Sequence, residues 1–487
     1  MKDKLLKGVG WVALSRIFLT VTGLLSTIVV ARLLSPSDFG LSAIATATLA
    51  LAQSLTQLSL ASALIQRESV TDGDVHTVWT LSLMRGLLLF AALTLLAPVI
   101  ANSYGDQRLL AIMLVTAVTG GVSALTNPML GLQAKELNFK TQSAFTMVQR
   151  GSIIISSIVL AFVFRSYWAL IISPLVAVLF TTVWSYIIVP YVPRASLAGT
   201  RSILSFSVWL SLTQFLSMVS WRFDQLVIGL YASKADLGHY VMADNIASIP
   251  VREATQPITQ VLFPGFSMIS ARPEKLRDTF LLAQATLFSI ALPLGIGFSL
   301  IADPAIHLVL GKKWEGIIPL VQVFSIMFSI SSLAVPLQSL AMATGQNKML
   351  FKRDLQGLVV RVPLVFIGIY YGGIEGVAYS RFAAALIGTG VVLFIIRALI
   401  DVPVMRQIKA NTRTIAAGAG LGLLGLLFGR LAGPVTAGDM VFRIISICAA
   451  GAFTYTIILF ALWRASGRPP GPESEVWKLL ERAWRSA

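Results

Sequence analysis

The sequence predicts an all-α polytopic membrane protein: about 14 transmembrane helices, forming two parallel six-helix lobes around a central cavity, plus two C-terminal helices. Three observations carry this prediction. Only 12% of the 487 residues are charged, against roughly 25% in soluble chains, and 56% are hydrophobic, giving a mean hydropathy of +0.80. Apolar runs of about 20 residues, enough to cross a hydrocarbon core of about 30 Å, recur with Gly, Pro and charges clustered between them. Two polar loop signatures also recur at an offset of about 200 residues, the mark of an internal repeat.

The first span, 11–33, follows the basic start MKDKLLKGVGWVALSR. Arg16 interrupts its apolar run and no A-x-A-like cleavage site follows closely, so it is expected to be an uncleaved first helix. Spans 2 to 6 cover 39–65, 77–101, 108–132, 144–164 and 167–189. Spans 7 to 12 cover 203–231, 237–265, 279–302, 316–341, 354–372 and 374–397, and the last two cover 412–431 and 440–463. The basic residues support that count. Lys and Arg concentrate on the cytoplasmic side of membrane proteins, and here 17 lie on the side of the N-terminus, from Lys2 to Arg413, against seven on the other. One missed span would scramble this alternation, so both termini are expected to be cytoplasmic. No connection exceeds roughly 15 residues, which leaves no room for an extramembrane catalytic domain. In the tail ESEVWKLLERAWRSA, Val476, Leu479, Leu480, Ala483 and Trp484 fall at helical spacing, which predicts an amphipathic helix on the cytoplasmic leaflet.

Composition also excludes chemistry. The single Cys448 rules out a disulfide framework, and His76, His239 and His307 are too far apart for a spaced metal motif, so no metal or cofactor is expected. The net charge of +16 falls between apolar runs and at the ends, where anionic lipid, not nucleic acid, is the partner it fits.

The repeat aligns ARLLSPSDFGLSAI with GLYASKADLGHYVM, setting Ser35 on Ser233, Asp38 on Asp236 and Gly40 on Gly238. Further on, NPMLGLQAKELNFK resembles VPLQSLAMATGQNKMLFK, with Pro128 near Pro336 and Phe139-Lys140 near Phe351-Lys352. The expected division is an N-terminal lobe at 1–192, a second lobe at 193–400, helices 13 and 14 within 401–465 and a tail at 466–487.

A charge at bilayer centre costs from roughly 2.5 to over 10 kcal/mol, so it normally faces a cavity or a partner. The candidates are Arg16, Arg85, Arg222, Asp224, Asp244, Arg252, Glu253, Arg361 and Arg381. Arg85 and Arg381 lie near helix quarters, from which their heads can reach the interface. Arg252 stands midway along span 8, which Pro250, Pro257 and Pro264 are expected to break around a water-lined site. Guanidinium binds phosphate bidentately, so Arg252, Arg222 and Arg16, followed by Arg361 and Arg85, are the candidates for a phosphate or diphosphate group. The alternative reading pairs Arg222 with Asp224 and Arg252 with Glu253. Residues one or two apart do not face each other on a helix, so neither pair is expected to be well formed. Glu253, Asp224 and Asp244 are alternatively candidates for a coupling cation or proton.

Two patterns carry less. GLGLLG at 420–425 matches a dinucleotide-binding fingerprint literally but follows no strand and reads as small-residue helix packing. Gln53, Ser54, Thr56, Gln57, Ser59 and Ser62 in span 2 read as interhelical hydrogen bonding or, otherwise, a hydrophilic path for sugars.

The stretches ARLLSPSDFG (31–40), SALIQRESV (62–70), LQAKELNF (132–139), VLFPGFSMISARPEKLRDTF (261–280) and VLGKKWEGIIPLVQVF (309–324) bring a family into view. The chain resembles the Wzx-type polysaccharide transporter flippases of the multidrug/oligosaccharidyl-lipid/polysaccharide exporter superfamily, and within them the colanic acid and succinoglycan exporter group. That resemblance covers most of residues 1–400. It implies a non-enzymatic flippase that turns an undecaprenyl-diphosphate-linked oligosaccharide repeat unit across the bacterial inner membrane for exopolysaccharide, O-antigen or capsule synthesis. A polysaccharide polymerase and a chain-length regulator are the implied partners. Related peptidoglycan-precursor flippases hold the diphosphate in a cationic cavity, similar in kind to Arg16, Arg222 and Arg252. The alternative is a multidrug or cation antiporter of the same fold, whose cavity should be rich in carboxylates and aromatics. A membrane polymerase or ligase would need a large extracytoplasmic loop.

Overall fold

The computed structural model describes residues 19–56, 71–130, 139–198, 200–429 and 436–486. Among the described residues the chain is helical, with no strand. Hydrocarbon offers the backbone no hydrogen bonds, and a helix satisfies its own. Two compact units form, Met1–Gly238 and His239–Ala487.

The first unit contains α1 (Leu19–Leu33), α2 (Pro36–Thr56), α3 (Asp72–Ser103), α4 (Arg108–Ser123), α5 (Phe139–Phe164), α6 (Trp168–Ile188) and α7 (Thr200–Tyr231), and ends in the first turn of α8 (Lys234–Ile269). Here α3 packs on α4, α5 on α6 and α2 on α7. The second unit continues with α9 (Pro273–Val309), a 3-10 turn at Lys312–Ile317, α10 (Ile318–Ser331), a second 3-10 turn at Ser332–Ala334 and α11 (Pro336–Ala343). Next come α12 (Asn347–Ile400), α13 (Val404–Gly429), α14 (Ala437–Ala465) and α15 (Pro472–Ser486). Both α13 and α14 pack against α9, where the Tyr455 hydroxyl donates to the Ser289 carbonyl at 2.9 Å.

By length and composition, eight described segments can cross a membrane, one of them the 53-residue Lys348–Ile400. That segment is two crossings: Gly372 and Gly373 leave helical geometry, and Gly373, at φ 55°, turns the chain back. Tyr370 and Tyr371 stand exposed beside this turn, as aromatic residues do at a membrane interface. α1 and α4 are apolar but shorter. Among the described residues, α7, α8 and α13 fall outside that set. Leu87, Leu88 and Leu95 on α3 and Ile155, Val159 and Val163 on α5 are exposed, suited to lipid contact.

The repeat appears as matched caps. Asp38 accepts from the Ser35 amide (2.8 Å) and hydroxyl (2.6 Å) at the start of α2; Asp236 accepts from the Ser233 amide (3.2 Å) and hydroxyl (2.8 Å) at the start of α8. Near both prolines the helix breaks. α4 ends at Ser123, ahead of Pro128, and α10 ends at Ser331, ahead of Pro336; both pairs of positions are 208 residues apart. The caps lie among close loop contacts. The Lys234 ammonium donates to the carbonyls of Tyr104 (3.1 Å) and Gly229 (3.0 Å), and burial pulls its pKa down. Beside it, Arg108 grips Asp106 with two bonds of 3.0 and 2.7 Å, which hold that carboxyl below the ordinary range.

The break expected in span 8 is absent. α8 runs unbroken through Pro250, Pro257 and Pro264. Each proline removes one amide donor, but at a spacing of seven residues, about two turns, the losses fall on nearly one face and the remaining ladder holds the helix. The interruption lies instead in span 10, at Ser332–Ala334. There the hydroxyls of Ser325, Ser329 and Ser332 return to carbonyls within their own helix at 2.6–2.7 Å, and Pro336 cannot continue the ladder. Within GLGLLG, Gly420 and Gly425 approach Ile458 and Leu300, as helix packing requires.

Candidate functional site

Each unit holds its own intramembrane charges, and Arg16 lies outside the described residues. In the first unit, Arg85 sits on α3 next to Gly86, where that helix lies tight against Gly121 of α4 and Ala124 just beyond its end. Its Nε is buried and has no hydrogen-bond partner among the described residues. On α7 the Arg222 Nη1 donates to Gln225 Oε1 at 2.8 Å, and Asp224 between them is buried, at 1% exposure.

In the second unit, α8 supplies most of the polar groups. Arg252 stands midway along its 36 residues, and its Nε donates to Glu253 Oε1 at 3.1 Å. The sequence argued against this pairing. It forms because two long side chains can bend across the roughly 100° between adjacent positions. The pair is not enclosed, with side-chain exposures of 57% and 28%. About 10 Å further along α8, seven residues at 1.5 Å each, Thr259 forms part of the wall of a cavity of about 380 Å³. Ser331, Gln338, Ser339 and Arg353 supply its other polar lining. Arg353 repeats the Arg252 arrangement: its Nε and Nη2 donate to the neighbouring Asp354 at 2.9 and 2.7 Å. The volume falls within the range of about 300–1,000 Å³ common for small-ligand pockets.

Asp244, one of the carboxylates considered for a coupling ion, is in contact with a cation of the chain itself. Its Oδ1 lies 2.6 Å from Arg381 Nη1, at an angle outside hydrogen-bond geometry. The same Nη1 donates to the Tyr240 hydroxyl at 3.2 Å. Arg381, expected to reach the interface, is instead 8% exposed, because a carboxylate on α8 holds its head inside the unit. Arg361 lies on the first limb of α12 with its Nε buried.

Sequence reasoning did not single out Arg353, which lines the cavity, and expected Arg381 at the interface, not inside the unit. One signal was present for Arg353, the Arg-acid adjacency it shares with Arg252.

The cavity wall thus combines Thr259, Ser331, Gln338, Ser339 and Arg353 with the apolar Ala334, Val335 and Met342, and Arg252 stands about two turns away along α8. Sequence comparison shows the family. The family model described as "Polysaccharide biosynthesis protein" matches residues 29–319, or 291 of 487. The chain belongs to that family. Its relatives include WzxC of Escherichia coli (strain K12), a lipopolysaccharide biosynthesis protein, 24% identical over 80% of each chain. TuaB of Bacillus subtilis (strain 168), a teichuronic acid biosynthesis protein, is 23% identical over 77% of this chain and 79% of its own. ExoT of Rhizobium meliloti (strain 1021), a succinoglycan biosynthesis transport protein, is 23% identical over 76% and 74%. Among solved structures, the lipid II flippase MurJ in an inward closed conformation superposes with TM-score 0.76 at 15% identity, covering 94% of this chain and 99% of its own. A multidrug resistance MATE transporter of the MOP superfamily gives 0.61 at 18%, covering 78% and 95%. This member of the polysaccharide biosynthesis protein family is therefore a multi-pass membrane protein with the MOP transporter fold.

Proposed function

We propose that the protein flips an undecaprenyl-diphosphate-linked oligosaccharide repeat unit across the bacterial inner membrane by alternating access, feeding polysaccharide assembly. The observation that carries this reading is Arg252, mid-span yet half exposed, in line along α8 with a cavity whose wall includes a second arginine, Arg353. A phosphate group accepts two parallel bonds from guanidinium, and an open Arg–carboxylate pair, worth about 0–1 kcal/mol, gives way to it at little cost. Thr259, Ser331, Gln338 and Ser339 offer the mixed donors and acceptors that sugar hydroxyls require. The names of the relatives, drawn from lipopolysaccharide, teichuronic acid and succinoglycan synthesis, support the same class of cargo. Both termini then face the cytoplasm, and a polymerase and a chain-length regulator act on the flipped unit.

The test is polysaccharide export in a strain carrying only Arg252→Ala. A charge-assisted hydrogen bond is worth about 1.5–3 kcal/mol, so export should fall roughly 10- to 150-fold at normal protein abundance, with lipid-linked repeat units accumulating by mass spectrometry. Wild-type export from both Arg252→Ala and Arg353→Ala, at normal abundance, would sink the reading.

A further inference from the structure

Two helices of the second unit each present an i, i+4 pair to one point. Tyr240 and Asp244 come from α8, and Phe324 and Phe328 from α10; the Tyr240 and Phe324 rings meet edge to face at 5.3 Å. Into this box the second limb of α12 inserts Arg381. Its guanidinium carbon lies 5.0 Å from the Phe324 ring centre and 5.8 Å from those of Tyr240 and Phe328, while Nη1 contacts the Asp244 carboxylate.

We infer that Asp244, Tyr240, Phe324 and Phe328 form a cation site built for guanidinium and filled by Arg381, so that the transport cycle takes no inorganic coupling cation at Asp244. Three ring faces and one carboxylate are the chemistry of an organic-cation cage. Guanidinium is weakly hydrated and stacks on aromatic faces, so it loses little on entering. A hard inorganic cation needs a shell of oxygens, about six to eight for calcium, whereas the wall described around the guanidinium is mainly aromatic, with oxygen contacts from the Asp244 carboxylate and the Tyr240 hydroxyl. The carboxylate in turn is neutralised by a cation that cannot leave, because its helix holds it. The contact therefore serves as a permanent charge balance tying α8 to α12.

This inference is independent of what the protein carries, and its test reads melting, not export. In the full-length protein purified in detergent, Arg381→Ala should melt below wild type. Methylguanidinium at about 20 mM should then recover at least half of the lost melting temperature, by binding the folded state alone. Sodium or potassium chloride at the same concentration should recover none of it, and the rescue should vanish when Asp244→Asn is added. Wild type should melt equally in sodium and choline chloride. Rescue of Arg381→Ala by sodium as well as by methylguanidinium would overturn the inference. So would a sodium-specific stabilisation of wild type that Asp244→Asn removes. If Arg381→Ala does not fold, the neutral pair Asp244→Asn with Arg381→Met decides the matter: melting well above single Asp244→Asn supports a matched pair, and melting no higher than that single variant overturns it.

Discussion

Gly40 of α2 and Gly238 of α8 stand at mirrored contacts: a Cβ on Gly40 would strike the Lys234 carbonyl oxygen, and a Cβ on Gly238 would strike the Pro36 carbonyl oxygen. Both contacts lie within the first unit, backbone on backbone, at the starts of α2 and α8. No rotamer change can relieve a clash with a carbonyl. Gly40→Ala and Gly238→Ala are each expected to cost about 1–3 kcal/mol, the scale of overpacking, read as a lowered melting temperature in detergent. The double variant should cost less than the sum, because the first methyl already separates the helices. Melting of both single variants at the wild-type temperature would contradict the contact.

Asp38 and Asp236 cap equivalent helices, yet only for Asp38 does the structure record a bond beyond its cap. Its Oδ1 also accepts from the Tyr167 amide at 2.9 Å, at the start of α6. Loss of a cap costs about 0.5–2 kcal/mol, and losing the part-buried bond from the Tyr167 amide adds about 0.5–1.5. Asp38→Ala should therefore destabilise more than Asp236→Ala, and equal melting of the two would count against the extra bond.

Glu253→Gln keeps the shape of the side chain and removes the charge that Arg252 contacts. An exposed ion pair is worth about 0.2–1 kcal/mol, so freeing Arg252 should raise the affinity for inorganic pyrophosphate roughly 1.5- to 5-fold by calorimetric titration. Adding Arg252→Gln should abolish that gain. Unchanged binding in Glu253→Gln would show that the pair does not compete with anions.

The tail is held by a buried pair. Arg413 of α13 donates to both oxygens of Glu473, at 2.9 and 3.2 Å, and the Glu473 side chain is 2% exposed. Trp463 and Trp477 meet alongside, their ring centres 6.0 Å apart. Breaking a buried pair from one side costs about 3–5 kcal/mol, whereas replacing both partners by apolar groups is often neutral. Glu473→Ala should release α15 and speed tryptic cleavage after Lys478 by about 10-fold or more, since cleavage tracks local opening. Arg413→Met with Glu473→Leu should restore most of the protection. Equal cleavage of wild type and Glu473→Ala would mean the pair does not dock the tail.

What the sequence by itself determined is what depends on spacing along the chain. Apolar run length separated the two limbs of α12 at Gly372 and Gly373, because a crossing needs about 20 residues whatever surrounds it. The polar pattern Ser-x-x-Asp-x-Gly showed two equivalent junctions, and the structure makes both of them helix caps, a contact three residues long. Tertiary structure decided what depends on neighbours distant in sequence. Asp244 and Arg381 are 137 positions apart, and nothing local to either shows that α8 and α12 bring them within 2.6 Å. The cavity joins Thr259 to Arg353 by the same route. Three prolines argued locally for a break in α8, yet the helix continues and the break falls in span 10 instead. Local rules say which hydrogen bonds a residue cannot make; whether the chain bends there depends on the packing that surrounds it.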